Sequence, residues 1–341
     1  MATHLKHGRR KLLFALLIMA IAVAMAVFWQ RTVAFADRPL LLDQAPRVLL
    51  VDRGDGLNAV VRKLRALGVS QGNGLAWKAL ATRMGVAGKL QVGEYAVGSG
   101  LTPRELLRRL ARGEVIQRKF TIVEGWSFRD LRRVLGADPL LVHPARKLDD
   151  AALMTALGRR GQHPEGRFLP ETYVYTRGTD ELAILDRAAK AMDVALADAW
   201  DGRDTDLPLQ SPTQLLTLAS IVEKETGLAS ERPQIAGVFA RRLKLGMLLQ
   251  TDPTVIYGMG EAYAGNIRRK DLETDTPYNT YTRAGLPPTP IAMPGRDALQ
   301  AASHPTAGDA LYFVARGGGA HQFSATLDEH NAAVRRYQLG R

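Results

Sequence analysis

The pattern of apolar and polar positions sets the first part of the chain apart from the rest. Residues 12–29, LLFALLIMAIAVAMAVFW, are 18 consecutive apolar residues without a charge. A helix of that length, at 1.5 Å per residue, spans about 27 Å, close to the thickness of a bilayer core. The pattern therefore predicts a single transmembrane helix over residues 12–30.

The flanks of this run predict its orientation. Four basic residues precede it within 1–11, so the positive-inside rule makes that segment a cytoplasmic tail and places the rest of the chain outside. A cleaved signal peptide is the alternative, because residues 34–36, Ala-Phe-Ala, resemble a processing site. The run is longer than the core of a usual signal peptide, which favours a retained anchor in the inner membrane with a periplasmic domain.

After the apolar run, residues 31–47 contain Pro39 and Pro46 with mixed polarity and predict a linker. Three similar stretches follow. Each has a short β-branched or aromatic run, a glycine turn and an amphipathic basic helix; they cover residues 48–68, 93–113 and 120–136.

The first of these stretches, with Val51, Gly54, Asp55 and Leu57, resembles the opening of a LysM module, a small glycan-binding unit of strand, glycine turn and helix. An ordinary β-turn-α unit is the alternative. Both interpretations predict a small α/β module over residues 48–117, and the first also implies binding to wall glycan.

The remaining residues, 118–341, mix short strands with longer helices, which predicts a larger α+β domain. Alternation predicts strands over 168–175 and 311–315, and Gly317-Gly318-Gly319 predicts a hairpin turn. Residues 137–165 are irregular and predict surface loop with one helix. Helical spacing of apolar residues predicts four longer helices, over 180–201, 212–226, 230–246 and about 326–338.

Composition narrows the possible functions. The net charge of +12 favours contact with polyanions, membranes or anionic wall polymers, but acidic and basic residues alternate along most of the chain, which argues against nucleic acid. The absence of cysteine excludes disulfides, thiolate metal sites and a cysteine nucleophile. His304 and His321 have no second ligand at metal spacing, so neither a metal nor a cofactor is predicted.

The stretch LASIVEKETG places two glutamates in the last turn of the second predicted helix. Ser211 can cap that helix, Pro212 suits its first position, and Gly227 ends it. Glu223 and Glu225 then flank the apolar stripe, one on each side.

Two effects raise the pKa of a carboxyl group at this place, namely burial and the negative end of the helix dipole. Either glutamate could then hold a proton near neutral pH and act as a general acid. The alternative is a pair of solvated glutamates with lysine partners, and the helical wheel does not choose between the two acids.

Several stretches carry a resemblance to a known family: 168–175, 218–260, 272–295 and 303–331. They resemble, in order, the signature of the endolytic murein transglycosylases, the MltG or YceG-like family. Arg241 stands where that pattern more often has asparagine, and residues 137–165 align with nothing in it.

The resemblance implies cleavage of peptidoglycan inside the glycan strand, between N-acetylmuramic acid and N-acetylglucosamine, without water. One carboxyl group protonates the departing oxygen and then, as carboxylate, removes the proton of the muramic acid 6-hydroxyl, which closes a 1,6-anhydro ring. A residue that acts first as acid and then as base needs a pKa near the working pH.

Glu225 is the predicted catalytic residue, because the resemblance places the essential acid on the second glutamate and Thr226 supplies the small hydroxyl residue that follows the acid in lytic transglycosylases. The predicted substrate-binding residues are Glu223, Gln250, Thr251, Asp252, Tyr278, Asn279 and Tyr281. For residues 250–252 the alternative to substrate binding is an Asx-type turn, and for residues 278–281 it is loop packing. Glu171 is expected to be structural.

The implied partners are peptidoglycan strands, the inner membrane and the wall synthases, meaning the penicillin-binding proteins, since the family is implicated in ending glycan polymerisation. Two alternatives remain open. A hydrolytic muramidase would use Glu225 with Asp252, because ordinary glycosidases need two carboxylates. A non-enzymatic scaffold would bind wall glycan through the LysM-like module.

Overall fold

The computed structural model describes residues 2–42 and 47–340 and divides the chain into two units, Met1–Arg118 and Lys119–Arg341. This division falls beside the predicted boundary between residues 117 and 118. Both units combine helices with short antiparallel or paired strands, so the predicted α+β class is confirmed.

The first element is a long helix, α1 (Ala2–Asp37), and its part Phe14–Asp37 has a mean hydropathy of 1.9. A helix of this length and composition can cross a membrane. The prediction of a linker from residue 31 is wrong for its first part, because the helix continues to Asp37. Residues 43–46 of the predicted linker lie outside the described residues.

The first unit continues after α1 with two strands and three helices. The strands pair antiparallel, with Leu49 opposite Tyr95, and both of these side chains are buried. Trp77 is buried with them, on a helix that the sequence pattern did not predict. The elements are β1 (Arg47–Val51), α2 (Leu57–Ala66), α3 (Gly74–Arg83), β2 (Gly93–Val97) and α4 (Pro103–Arg112).

The end of α1 and the residues after it belong to the core of this unit. Phe35 meets the ring of Trp77 edge-on, with 5.1 Å between the ring centres, and Leu40 is 1% exposed. Gly72 has a φ of +67°, and a Cβ there would overlap the Phe35 ring. This packing explains why residues 31–37 are helical, since the burial of apolar side chains stabilises the last turns of α1.

The second unit is built around one buried helix, α8, which packs against α7, α9 and α12. Strands β3 and β4 form one two-stranded sheet, and β5 and β6 form another. Its elements are β3 (Arg118–Thr121), α5 (Phe128–Leu135), α6 (Asp150–Ala156), β4 (Thr172–Tyr175), α7 (Glu181–Asp201), α8 (Pro212–Glu225), α9 (Arg232–Lys244), α10 (Asp252–Met259), α11 (Arg269–Glu273), α12 (Arg296–Ser303), β5 (Tyr312–Gly317), β6 (Ala320–Ser324) and α13 (Leu327–Tyr337).

The four longer helices lie where helical spacing predicted them, and the glycine turn joins β5 to β6 as expected. The predicted strand over 168–175 is shorter, because only its last four residues pair. Helices α10, α11 and α12 lie between residues 246 and 311, where the sequence pattern predicted no helix. Each has eight residues or fewer, too few to display a helical period.

Candidate active site

Helix α8 carries the two glutamates, and local signals fix both of its ends. Ser211 accepts a hydrogen bond from the backbone N–H of Gln214, with Pro212 as the first helical residue. Every residue from Leu215 to Val222 is buried. The helix ends at Glu225, one residue earlier than predicted, because Thr226 adopts an extended backbone.

The hydroxyl group of Thr226 has a structural role at this end. Its Oγ1 accepts a hydrogen bond from the backbone N–H of Leu228 at 3.0 Å. This bond holds the turn that follows α8. The side chain of Lys224, between the two glutamates, is exposed and donates a hydrogen bond to the backbone oxygen of Gly125.

Glu225 lies at the edge of a cleft of about 440 Å³ in the second unit. Thr251 donates a hydrogen bond from Oγ1 to Glu225 Oε1. Burial raises the pKa of Glu225 to about 7, although the Thr251 bond opposes it; the charge of Asp252 raises this pKa further, and His321 lowers it. The group is therefore poised to give and to accept a proton near neutral pH.

Glu223 lies on the opposite side of α8, away from the cleft. Its Oε2 accepts a hydrogen bond from the backbone N–H of Gly295 at 2.9 Å, and its Oε1 is 3.3 Å from Arg232 Nη2. Burial raises the pKa of Glu223, while Gly295 and Arg232 oppose the rise. The carboxylate joins α8 to α9 and to the start of α12, and the structure does not bring it to the other predicted substrate-binding residues.

Three of the predicted substrate-binding residues line the cleft beside Glu225, namely Gln250, Asp252 and Tyr281. Tyr281 donates a hydrogen bond to Asp252 at 2.6 Å. Gln250 has a φ of +49°, an uncommon conformation for a residue other than glycine. The Asx-type turn, the alternative for residues 250–252, does not extend through residue 252, because Asp252 is the first residue of α10 and Pro253 follows inside the helix.

The other three predicted residues support the site from behind. Thr251 is 2% exposed and reaches Glu225, as described above. Asn279 is 1% exposed; its Nδ2 donates to the backbone oxygens of Leu272 and Thr274, and its Oδ1 accepts from the backbone N–H of Tyr281. It therefore fixes the loop that carries Tyr281.

Tyr278 packs under this loop. Its hydroxyl group is 2.9 Å from Thr289 Oγ1, and its ring meets that of Tyr257 at a centre distance of 4.9 Å. Loop packing, the alternative for these residues, therefore describes the surroundings of Tyr278.

Sequence reasoning missed Arg242, which lines the cleft on the α9 side. Its guanidinium group donates to the backbone oxygens of Leu249 and Leu311 and lies 5.1 Å from the centre of the Tyr312 ring. Burial lowers the pKa of Arg242. In the sequence this arginine looks like any basic residue near the end of a helix, and only the folded chain brings it to Glu225.

His321, which the sequence suggested only as an unsupported metal ligand, also lines the cleft. Its Nδ1 is 2.8 Å from Glu231 Oε2, and its backbone N–H donates to Glu231 Oε1 at 2.9 Å. Glu231 ends the short 3-10 turn Ala229–Glu231 that follows α8. The pair therefore joins the β5–β6 hairpin to the end of the helix that carries Glu225.

Two residues outside the cleft have structural partners. Arg241, the departure from the family pattern, donates to the backbone oxygens of Ala310 and Thr306. Glu171 pairs with Arg296 at the surface, 3.1 Å apart. Among the side chains that the structure describes, no group of three or more acidic or histidine residues is arranged to hold a metal ion.

The cleft defines a class of site, in which one protonatable carboxyl group faces a space large enough for sugar rings, beside an aspartate, an arginine and a histidine. The comparisons agree. A model of the YceG-like family matches residues 49–336. The chain belongs to the YceG-like family, as its resemblance predicted.

Known relatives cover most of the chain. An endolytic murein transglycosylase of Bacillus subtilis is 32% identical over 74% of this chain and 74% of its own length. One of Streptococcus pneumoniae is 28% identical over 66% of this chain, which spans 46% of that relative. A crystal structure of a yceG-like protein of Listeria monocytogenes is 30% identical, with a TM-score of 0.55, and covers 84% of this chain and 98% of its own.

Proposed function

We propose that the protein is an endolytic murein transglycosylase, which cuts peptidoglycan strands between N-acetylmuramic acid and N-acetylglucosamine and leaves 1,6-anhydromuramyl ends. The observation that carries the proposal is the carboxyl group of Glu225, with a pKa of about 7, at the edge of a cleft. The names of the Bacillus and Streptococcus relatives support the same reaction.

In the proposed reaction, Glu225 gives its proton to the glycosidic oxygen as the bond from that oxygen to the muramic acid carbon breaks. The neighbouring N-acetyl group of the substrate supports the positive charge that develops on the sugar. The Glu225 carboxylate then takes the proton from the 6-hydroxyl group, whose oxygen closes the anhydro ring. The proton returns to the enzyme, no water is consumed, and one carboxyl group suffices because the nucleophile is already in place.

Thr251 prepares Glu225 for both steps. Because its hydroxyl group donates to Oε1, the proton of the neutral acid lies on Oε2, the oxygen left for the substrate. The same hydrogen bond stabilises the carboxylate that forms after proton transfer. Thr251 is therefore proposed to orient the acid without touching the substrate.

The products test this function. We expect that isolated peptidoglycan digested with the wild-type protein yields fragments whose muramic ends resist borohydride reduction, as mass spectrometry would show. Reducible ends would instead support a hydrolytic reaction that uses Glu225 with Asp252. A wild-type protein that releases no fragments would support the binding scaffold.

We also propose that the first unit binds glycan through a LysM-like module. Its order of strand, helix, helix and strand, with the two strands paired, supports this interpretation. So does a second cleft of about 460 Å³, where the turn at Gly54 and Gly56 meets Asn58, Arg62 and Lys78. The inactive Glu225→Gln chain should sediment with sacculi, and adding Asn58→Ala should weaken it; equal sedimentation would count against the module.

For its cellular setting, we propose that α1 is a retained inner-membrane anchor, with both units on the periplasmic side and near the penicillin-binding proteins. The burial of residues 35 and 36 in the core of the first unit supports retention, because a processing site there would lie inside folded structure. Protease added to spheroplasts should degrade the second unit. Cross-linking in growing cells tests contact with the synthases.

A further inference from the structure

The histidine of the cleft is held in one orientation by two hydrogen bonds to a single carboxylate. Burial alone would raise the pKa of Glu231, but the hydrogen bonds from the backbone and ring of His321 outweigh it and hold this pKa below its usual range. Glu231 is therefore an anion, and Nδ1 of His321 must carry a hydrogen to meet it. In the neutral ring, Nε2 then has a free lone pair.

A second pair in the same unit shows what a purely structural arrangement looks like. His143 Nδ1 is 2.8 Å from Glu181 Oε2, and the other oxygen of Glu181 accepts from the backbone N–H of Ala145. The remaining nitrogen, Nε2, lies 2.8 Å from the backbone oxygen of Asp138. Both ring nitrogens therefore have protein partners, and the hydrogen bond with Glu181 raises the pKa of His143.

His321 differs from His143 at this second nitrogen. Its Nε2 makes no hydrogen bond to any residue that the structure describes, and the side chain lines the cleft with Glu225. Among the other polar groups there, Asp252 accepts from Tyr281 and Arg242 donates to backbone oxygens, whereas the buried Nδ1 of His330 has no hydrogen-bond partner among the described residues. In the neutral ring, the Nε2 lone pair is thus an acceptor offered to whatever occupies the cleft.

We propose that His321 accepts a hydrogen bond through Nε2 from a sugar hydroxyl group of the glycan in the cleft, and that Glu231 is the positioning residue that fixes this tautomer. The ligand class rests on the proposed function. A hydroxyl group is the donor that a sugar presents in greatest number, and a fixed acceptor orients the ring beside Glu225. The glycan would then be held at two points, Glu225 and His321. These two residues keep a fixed spacing because Glu231, in the turn after α8, binds His321.

Two substitutions of His321 separate substrate contact from a structural link. His321→Gln keeps an acceptor near the position of Nε2 and loses the Nδ1 group, whereas His321→Asn keeps a group near Nδ1 that can still bond Glu231. We expect the KM for purified uncross-linked peptidoglycan strands to rise about tenfold in His321→Asn and less than threefold in His321→Gln. The opposite order would overturn the proposal in favour of a structural link.

Glu231→Gln tests the tautomer without changing the shape of the pair. The carboxamide oxygen can still accept from the backbone N–H of His321, but its amide group donates to Nδ1 and moves the ring hydrogen to Nε2. The acceptor is then lost, and we expect a KM increase similar to that of His321→Asn. The matched control is Glu181→Gln, which should lower Tm and leave KM unchanged; a KM change equal in both variants would contradict the proposal.

A binding measurement keeps this inference separate from the proposed reaction. With Glu225→Gln as the background, the affinity for the same strands should fall about tenfold on adding His321→Asn and little on adding His321→Gln. If the wild type cleaves nothing, the reaction proposal fails while this comparison still decides the role of His321. Equal affinities in all three proteins, each shown to be folded by its thermal transition, would refute the proposed contact.

Discussion

The last turn of α8 carries a glutamate on each of two sides, and the two carboxyl groups have different surroundings. Glu223 meets a guanidinium group and a backbone N–H from neighbouring elements. Glu225 meets a neutral hydroxyl group and an open cleft. Burial raises the pKa of both, so burial alone does not make a catalytic acid. The difference lies in whether the partners hold the anion in place or leave room for a substrate and a moving proton.

The largest expected effect separates the two glutamates by their chemistry. Glu225→Gln keeps an oxygen for Thr251 but has no proton to donate, so we expect the release of anhydromuramyl products to fall by about 10³-fold or more. Glu223→Gln should keep activity within about tenfold in the same assay. Loss of activity only in Glu223→Gln would reverse the assignment.

The next effect concerns stability at Glu223. Replacing its carboxylate by an amide leaves Arg232, whose side chain is 10% exposed, without its buried anion. We expect the free energy of unfolding to fall by about 2–3 kcal/mol, measured by urea denaturation. Lys224→Gln is the control at the exposed position between the two acids and should change it by less than about 0.5 kcal/mol. An unchanged free energy of unfolding in Glu223→Gln would mean that the contact with Arg232 does not stabilise the fold.

At Glu225 the replacement of the carboxylate by an amide should raise the free energy of unfolding instead of lowering it. Its folded pKa of about 7 lies above the ordinary 4.5, so the folded state binds more protons between these values and loses stability as pH rises through them. Glu225→Gln removes this dependence. We expect it to be more stable than the wild type by about 1–3 kcal/mol at pH 8 and by little at pH 4. Equal differences at both values would argue against the raised pKa.

The smallest expected effect tests the hydroxyl group that faces Glu225. The Thr251 hydrogen bond lowers the pKa of this acid, so Thr251→Val should raise it, by about one unit if the bond contributes about 1 kcal/mol. The alkaline limb of the pH–rate profile, where Glu225 loses its proton, should move upward by that amount. Thr217→Val, far along the same helix, is the control; a profile that moves downward would contradict the role.

Local signals explain what the sequence could predict about the site. A capping serine and a proline begin α8, and Thr226 and Gly227 directly follow its last residue, so the place of both glutamates followed from nearby residues. The partners of those glutamates did not follow, because Arg232, Gly295 and Thr251 come from other segments. Only the family resemblance favoured Glu225 over Glu223, and the structure adds the physical distinction between them.

Features that depend on distant contacts escaped the sequence patterns. His321 and Arg242 approach Glu225 from β6 and α9, and neither position has a local pattern that marks it. Helix α10, which begins at Asp252, was not predicted because it is too short to show a period. The end of α1 looked like a linker, since Phe35 and Leu40 become part of a core only when the first unit folds around them.

That shared core also affects how the protein is made. Because Phe35 and Ala36 belong to α1 and fill the interior of the first unit, this unit cannot complete its packing until the end of the apolar helix has emerged beside it. In a chain inserted during synthesis, release of that helix end from the insertion machinery would precede the final folding of the unit. Substitutions in α1 that change the depth of this helix in the bilayer would then change the folding rate of the part of the first unit that lies outside the bilayer.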